Sequence, residues 1–440
     1  MKRLTALLLL VLLTGCDLAG QISLPGWVVP GAPATPTPAA TAMPEEGIAT
    51  DTPEAEPVPA TATPVPSLTL WVPPEFDPQA GTPAGSLLES RLREFSRQNG
   101  GVRVIVRVKA ASGPGGLLES LNAAYSAAPL RMPSVIALPR PDLEAAALKG
   151  LIQPLDGASV AIDEADWYDY ARQLAMVQGT TFALPFAGDA LLIVYRPAMV
   201  AAPPADWAAL ERLAQPAGFA AGDAQSLFVL TLYQSLGGPV EDAQRRPMLD
   251  PAILSQVLQV LARGTEQGIF PAWLAQYETN AQVWQAYQDM RVNAAVTWSS
   301  NYLSSLPPDT SAVALPSLSE TPLTLATGWG WSVSEPLPER RALAFRLAEF
   351  LADGEFVAQW TEAAGFLPAR PSALAAWTNQ SLKTLLSPVA VSARARPSID
   401  QLNALGPALR EAVLKVLKGE SDPAQAAQTA AERLSVPENR

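Results

Sequence analysis

The sequence predicts an α/β protein of two lobes, each a mixed sheet flanked by helices, joined by a multi-strand hinge. Three observations point there. The chain has 440 residues, 48% of them hydrophobic, which is too much for one ordinary core and suggests two. From Ser67 to Gly150, short apolar runs alternate three times with segments of helical period, the pattern of a parallel sheet covered by helices. A third stretch, Thr327 to Arg370, runs strand, turn, amphipathic helix, short helix and extended exit.

The N-terminus accounts for the chain's single cysteine. Lys2 and Arg3 precede an apolar run, Leu4 to Leu13, that is too short to span a bilayer as a mature helix. Leu13-Thr14-Gly15-Cys16 follows. The arrangement resembles bacterial lipoprotein signal peptides, and the resemblance implies removal of residues 1–15 and lipidation of Cys16. Acyl chains there would anchor the protein to a membrane, each buried methylene contributing about 0.8 kcal/mol. Residues 16–66 are rich in Pro, Ala and Thr and show no apolar period. Such a segment cannot bury enough surface to offset its ordering entropy, so it reads as a disordered tether.

The folded part begins near Ser67. Ser67 to Trp71 alternates as a strand and ends at Pro73-Pro74. Leu87 to Gln98 is an amphipathic helix with Leu88, Leu92 and Phe95 inward, stopped by Gly100-Gly101. Val102 to Val108 is a second strand. The loop Ser112 to Gly116 leads into a helix through Leu117, Leu121 and Tyr125. That loop lacks the lysine and spacing of a phosphate-binding loop, and a tight strand-to-helix turn is the simpler reading. Ser134 to Leu138 is a third strand, and Pro139-Arg140-Pro141 opens a helix ending at Lys149-Gly150. In such sheets ligands sit beyond the carboxyl ends of the strands, here Trp71 to Phe76, Ala111 to Gly116 and Pro139-Arg140.

Further on the order of elements becomes specific. Gly150-Leu151-Ile152-Gln153-Pro154-Leu155-Asp156 is followed by Phe182-Ala183-Leu184-Pro185 and an apolar strand ending at Tyr195-Arg196. Pro204 to Leu210 starts a helix with Asp206 as its N-cap. Helices follow at 224–237, 251–268 and 282–290, then a strand from Arg291 to Trp298 and a short one at Val313 to Pro316. In Thr327 to Arg370, Trp329 and Trp331 share one face of a strand by alternation. The tail Lys415 to Ala427 closes the series. Together these segments resemble the bacterial extracellular solute-binding proteins of ABC importers, in the sugar-binding, maltose-binding-protein-like branch, over about Ser67 to Arg440. The family glycine expected before Asn293 is missing. The resemblance implies a periplasmic-binding-protein-like fold, with a first lobe of 67–184 plus 313–351 and a second of 185–309 plus 352–440. Pro185 falls at the first crossing.

Composition limits the chemistry. The net charge of −12 argues against a nucleic-acid partner. The absence of histidine removes histidine triads, histidine-ligated zinc and imidazole acid–base catalysis. No cofactor or metal is expected. Paired carboxylates with tryptophans would suit a glycosidase, but nothing places an acid and a base together. The chain therefore reads as a binder rather than an enzyme.

Saccharide clefts use aromatic faces against pyranose C–H groups and carboxylates or amides against hydroxyls. Trp71, Trp298, Tyr302, Trp329 and Trp331 lie at strand ends or in the hinge segment, and each is either a cleft wall or a core filler. Glu75, Arg140 and Asp189 are the polar candidates, each otherwise a solvated loop residue. The expectation is a monomeric, lipid-anchored protein on the extracellular or periplasmic side of the cell membrane. It would capture a small solute, a sugar or oligosaccharide, for ABC permease subunits. The alternative is a surface lipoprotein, adhesive or sensory, that keeps the fold without transport.

Overall fold

In the computed structural model, which describes residues 66–435 apart from 201, 214 and 215, the first strand, β1 (Ser67–Val72), carries Leu68, Leu70 and Val72 on one face, all fully buried. Trp71 faces the opposite layer with Leu138 and Leu143. Helix α1 (Pro83–Gln98) starts where the Thr82 hydroxyl accepts from the Gly85 N–H, and it lays Leu88, Leu92 and Phe95 against β1. Strand β2 (Arg103–Val108) pairs parallel to β1. Its exposed Arg103 and Arg107 put charge on a sheet edge, which discourages further strand pairing. Helix α2 (Leu117–Ala127), strand β3 (Val135–Pro139) and helix α3 (Arg140–Leu148) complete the predicted alternation, with β3 parallel to β1.

Helix α4 (Asp169–Ala175) and the small hairpin β4 (Met176–Val177) and β5 (Thr180–Thr181) lead into β6 (Leu184–Tyr195). The second half follows with α5 (Trp207–Glu211), β7 (Ala217–Gly218), α6 (Leu227–Ser235), α7 (Pro251–Glu266) and α8 (Asn280–Gln288). Next come β8 (Ala294–Trp298), α9 (Ser299–Leu303), β9 (Ser311–Ala314) and β10 (Thr324–Val333). Then α10 (Pro338–Leu351), α11 (Gly354–Ala364), β11 (Leu367–Pro368) and α12 (Pro371–Ala376) return along the first half. The chain finishes with α13 (Gln380–Ser392), β12 (Ala393–Ala395), α14 (Ile399–Leu417) and α15 (Pro423–Ser435).

The strands run in the order β2-β1-β3-β10-β6-β8-β7, and the two long central strands form the hinge. β10 pairs antiparallel with β3 from Trp329↔Pro139 to Val333↔Val135, and with β6 from Ala326↔Ala190 to Trp331↔Leu184. The far end of β6, Leu191 to Tyr195, carries β8 on one side and β9 on the other. Both lobes are thus mixed sheets flanked by helices, as expected. At the crossing Gly328 stands opposite Gly188. A Cβ on Gly188 would lie 2.1 Å from the Tyr170 hydroxyl, and one on Gly328 would lie 2.4 Å from the Ala187 carbonyl. The two hinge strands approach their neighbours this closely only because both positions lack a side chain.

Two parts of the expected lobe division differ. The expected first lobe takes in residues from 313 on, whereas β9 pairs with β6 beside Leu192 to Tyr195, the stretch that also carries β8. The expected second lobe also takes in residues 352–376. In the structure α11 packs on α1 and α12, and β11 pairs with β6 at Ala187 and Gly188. Hydrophobic spacing shows that these segments are a strand and helices, but it does not say which sheet they cover. The expected signal peptide, the lipidated Cys16 and the tether up to residue 65 lie outside the described residues. Among the described residues no helix is long and apolar enough to cross a membrane.

Candidate functional site

The carboxyl ends of β1 and β3 point toward the second half, and those of β7 and β8 toward the first. Helix α3 begins at the end of β3. Pro139 holds extended backbone before it and Pro141 occupies its first turn. Both suit a helix start, because the first N–H groups of a helix need no intrahelical partner. This fixes Arg140 at the junction. Its guanidinium donates to the carbonyls of Leu174 at 2.7 Å and Met176 at 2.6 Å, at the C-terminus of α4. A cation there satisfies unpaired carbonyls and meets the negative end of the helix. Its other terminal nitrogen donates to Glu144 Oε1 at 2.7 Å. Burial lowers the Arg140 pKa, and the Glu144 charge and hydrogen bond partly restore it.

Glu144 also reaches the second half, its Oε2 accepting from the Ile399 N–H at 3.0 Å. Ile399 opens α14, whose N-terminus already carries a capping box between Ser398 and Gln401. The carboxylate of one half thus satisfies a further N–H at a helix N-terminus of the other. A second bridge joins the Ala395 N–H to Gln173 Oε1 at 2.9 Å. Beside these contacts lies a cavity of about 400 Å³. The first half walls it with Arg140, Glu144 and Gln178, and the second with Glu241, Arg245 and Gln401.

The second-half wall is held by side chain-to-backbone bonds. Asp223 accepts from the N–H groups of Gln225 and Leu227, both at 3.0 Å, and so caps α6. Gly406 of α14 packs straight onto this loop, since a Cβ there would stand 2.1 Å from the Ala224 carbonyl. Arg396, just after β12, donates to Gln225 Oε1 at 3.0 Å.

Asp189 occupies the centre of β6, paired with Thr327. It accepts from the Ser299 hydroxyl at 2.8 Å and from the Ser300 N–H at 2.9 Å and hydroxyl at 2.6 Å. These bonds cap α9 directly after Trp298. Burial pushes the Asp189 carboxyl up to about 6, against the pull of its serine donors. The hinge residue therefore fixes the segment that presents Trp298.

The tryptophans divide. Trp331, expected as a ligand contact, is 1% exposed and stacks on Phe186 at 4.2 Å between the hinge sheet and α11. Trp71 is buried in the layer under α2 and α3, with the Lys109 ammonium over its ring. Tyr302 is buried as well. All three, expected as ligand contacts, are buried instead; for Trp71 and Trp331 the covering layers come from segments distant in sequence. Arg140 does line the cavity, but most of its donors serve the scaffold. Trp298 and Trp329 are half-buried, with Trp329 meeting Phe76 edge-on at 4.9 Å. Glu75 is exposed on the turn after β1 and does not wall this cavity. No sequence pattern marks the cavity residues Glu144, Glu241, Arg245 and Gln401, or Arg396 behind the second-half wall. The only local signal was the spacing of Arg140 and Glu144, which puts them on one helix face.

The family model for bacterial extracellular solute-binding proteins matches residues 90–384. The chain belongs to that family. Solved structures of similar fold include the sugar-binding protein MalE of Xanthomonas citri, 18% identical, covering 84% of this chain and 96% of that one at a TM-score of 0.69. A cyclo/maltodextrin-binding protein complexed with maltotetraose is 18% identical over 85% of this chain and 97% of its own, also at 0.69. The cyclic alpha-maltosyl-1,6-maltose binding protein of Arthrobacter globiformis is 17% identical over 84% and 98%, at 0.68. No protein of curated function matches the chain's sequence. At these identities the likeness establishes the fold, the two-lobed periplasmic-binding-protein type. In this solute-binding protein no group of three or more His, Cys, Asp or Glu side chains is placed to hold a metal ion among the described residues.

Proposed function

We propose that this protein captures a sugar or oligosaccharide between its two halves and delivers it to the permease of an ABC importer. It would act as a monomer held at the outer face of the membrane by lipid on Cys16. The observation that carries the reading is the cavity of about 400 Å³ walled from both halves, within the size range of small-molecule sites. A solute touching both walls gains affinity only when the halves are together. That differential is what allows binding to shift the population toward the closed form. Trp298, Trp329 and Asp189 do not wall this cavity; they are proposed as further contacts along the hinge, offering ring faces and a carboxylate to a pyranose that reaches beyond it. Relatives of the same fold described as maltose- and maltodextrin-binding support the saccharide class. Glu144 and Glu241 are each engaged by protein donors, which suits binding rather than catalysis.

A second reading, a surface lipoprotein without transport, is favoured by one observation. Trp71, Trp331 and Tyr302 are consumed by packing rather than offered to a ligand. A thermal-shift screen of the purified protein against mono- and oligosaccharides, polyols, amino acids and phosphorylated solutes separates the two. A solute at a hundredfold its Kd adds about 2.7 kcal/mol. A saccharide hit that also quenches tryptophan fluorescence supports capture. Silence across the panel, with the protein folded, favours the second reading.

A further inference from the structure

Arg140 and Glu144 stand four positions apart on α3, so their side chains leave the same helix face. The guanidinium is fixed first. Its Nη1 donates to the carbonyls of Leu174 and Met176, and its Nη2 holds Glu144 Oε1 at 2.7 Å. One carboxylate oxygen is thereby spent inside the first half. The other, Oε2, is aimed across the seam and accepts from the Ile399 N–H at 3.0 Å. Ile399 is the first residue of α14, a helix packed on α6, α7 and α15. The bond therefore ties the first half to the body of the second.

The donor side is as specific as the acceptor side. Ser398 and Gln401 close a capping box around the start of α14, and that box engages their own N–H groups. It leaves the Ile399 N–H to Glu144. Two other bonds between these parts lie on the hinge. Gln173 accepts from the Ala395 N–H at 2.9 Å, and Asp169 meets Arg394 at 3.8 Å. Both partners belong to β12, which pairs with the hinge strand β10 at Thr324 to Ala326. A contact on the hinge survives rotation about it, whereas a contact from α3 to α14 parts when the halves swing open.

We infer that Glu144 is a latch, whose bond to the Ile399 N–H holds the two halves together in the absence of solute. A hydrogen bond to an ionised acceptor is of the stronger kind. Both groups are rehydrated when it breaks, so the latch biases the halves without locking them. A larger closed fraction before solute arrives raises the apparent affinity in proportion. The inference concerns the solute-free protein and stands or falls apart from the capture reading.

The test is a distance distribution by pulsed electron-spin resonance on the purified, solute-free full chain. Spin labels go on Lys149→Cys and Ala243→Cys, exposed positions beside the two walls of the cavity, with Cys16→Ser to keep labelling specific. Ile399→Pro is the decisive variant. It deletes the donated N–H and leaves Arg140 paired with Glu144. Proline is tolerated at the first position of a helix, and Ser398, at φ −56° and ψ 157°, already has the extended backbone that a residue before proline adopts. Ile399→Ala keeps the N–H and is the control for the lost side chain. Glu144→Ala removes the acceptor and is the second test of the same bond.

Expected is a short distance in the labelled parent and in Ile399→Ala. Ile399→Pro and Glu144→Ala should each show a longer-distance population grown several-fold, with helix content by circular dichroism unchanged. A folded Ile399→Pro with the parent's distribution overturns the latch. Opening in Ile399→Ala as large as in Ile399→Pro also overturns it, because closure would then belong to the isoleucine side chain. A parent already dominated by the longer distance overturns it too, since the halves would not be held together without solute.

Discussion

Replacing Gly188 by alanine tests whether the hinge is built on close approach. The added Cβ would lie 2.1 Å from the Tyr170 hydroxyl oxygen, 2.7 Å from Cζ and 2.8 Å from Cε2. Tyr170 cannot swing aside, because its side chain is 1% exposed and its hydroxyl donates to the Pro368 carbonyl at 2.9 Å. Moving the ring opens that buried hydrogen bond, at about 1–3 kcal/mol. Forcing an extra carbon into a packed layer costs a further 1–3 kcal/mol or so. Gly188→Ala is therefore expected to lose roughly 2–6 kcal/mol in urea unfolding followed by tryptophan fluorescence. Tyr170→Phe removes the atom nearest the new carbon, so the double variant should be more stable than the sum of the two single losses. A loss below about 0.5 kcal/mol in Gly188→Ala, within the range of surface substitutions, would refute the packing argument. Strict additivity in the double variant would refute the assignment to Tyr170.

Three further predictions follow from the site. Trp331→Ala should cost about 3–5 kcal/mol of stability, as for other buried tryptophans, yet leave solute affinity of the folded protein unchanged; a large affinity loss would return Trp331 to the site. Trp298→Ala and Trp329→Ala should each weaken solute binding at least tenfold by titration of folded protein, and unchanged affinity in both would remove them from it. The Asp189 carboxyl, raised to about 6, lies above its unfolded value of about 3.9. The folded protein thus keeps a proton that the unfolded chain releases between those values. This contribution is full below about pH 4 and is lost as the pH rises through 6, on the order of 3 kcal/mol. Asp142, raised to about 6 by burial, acts with the same sign. Asp189→Asn should remove only its own share, measured as urea midpoints at about pH 4 and pH 7; an equal fall in both proteins would exclude Asp189 as its source.

The strands and helices were legible because their signals are local. Leu68, Leu70 and Val72 alternate, Leu88, Leu92 and Phe95 recur at helical spacing, and Gly100-Gly101 ends the helix they form. The hinge segment was legible for the same reason, down to Trp329 and Trp331 sharing a face. The candidate site was much less so. Arg140 was visible at a strand end, but its acceptors lie at Leu174 and Met176, more than thirty residues on. Arg396 sits in an irregular stretch with no period to mark it, and Glu144 meets Ile399 across 255 positions of sequence.

The sequence alone determined which residues form elements, the family they compose and the chemistry the chain lacks. Those properties depend on spacing, residue type and the absence of histidine, all of which survive in one dimension. Tertiary structure decided which face of each strand is covered, so Trp331 and Trp71 went to the core while Trp298 and Trp329 kept some exposed surface. It paired β9 with β6 and packed α11 on α1 and α12, and it set the carboxylate of Glu144 against the start of α14. Burial and charge pairing are properties of what arrives from elsewhere in the chain, and no local pattern encodes the arrival.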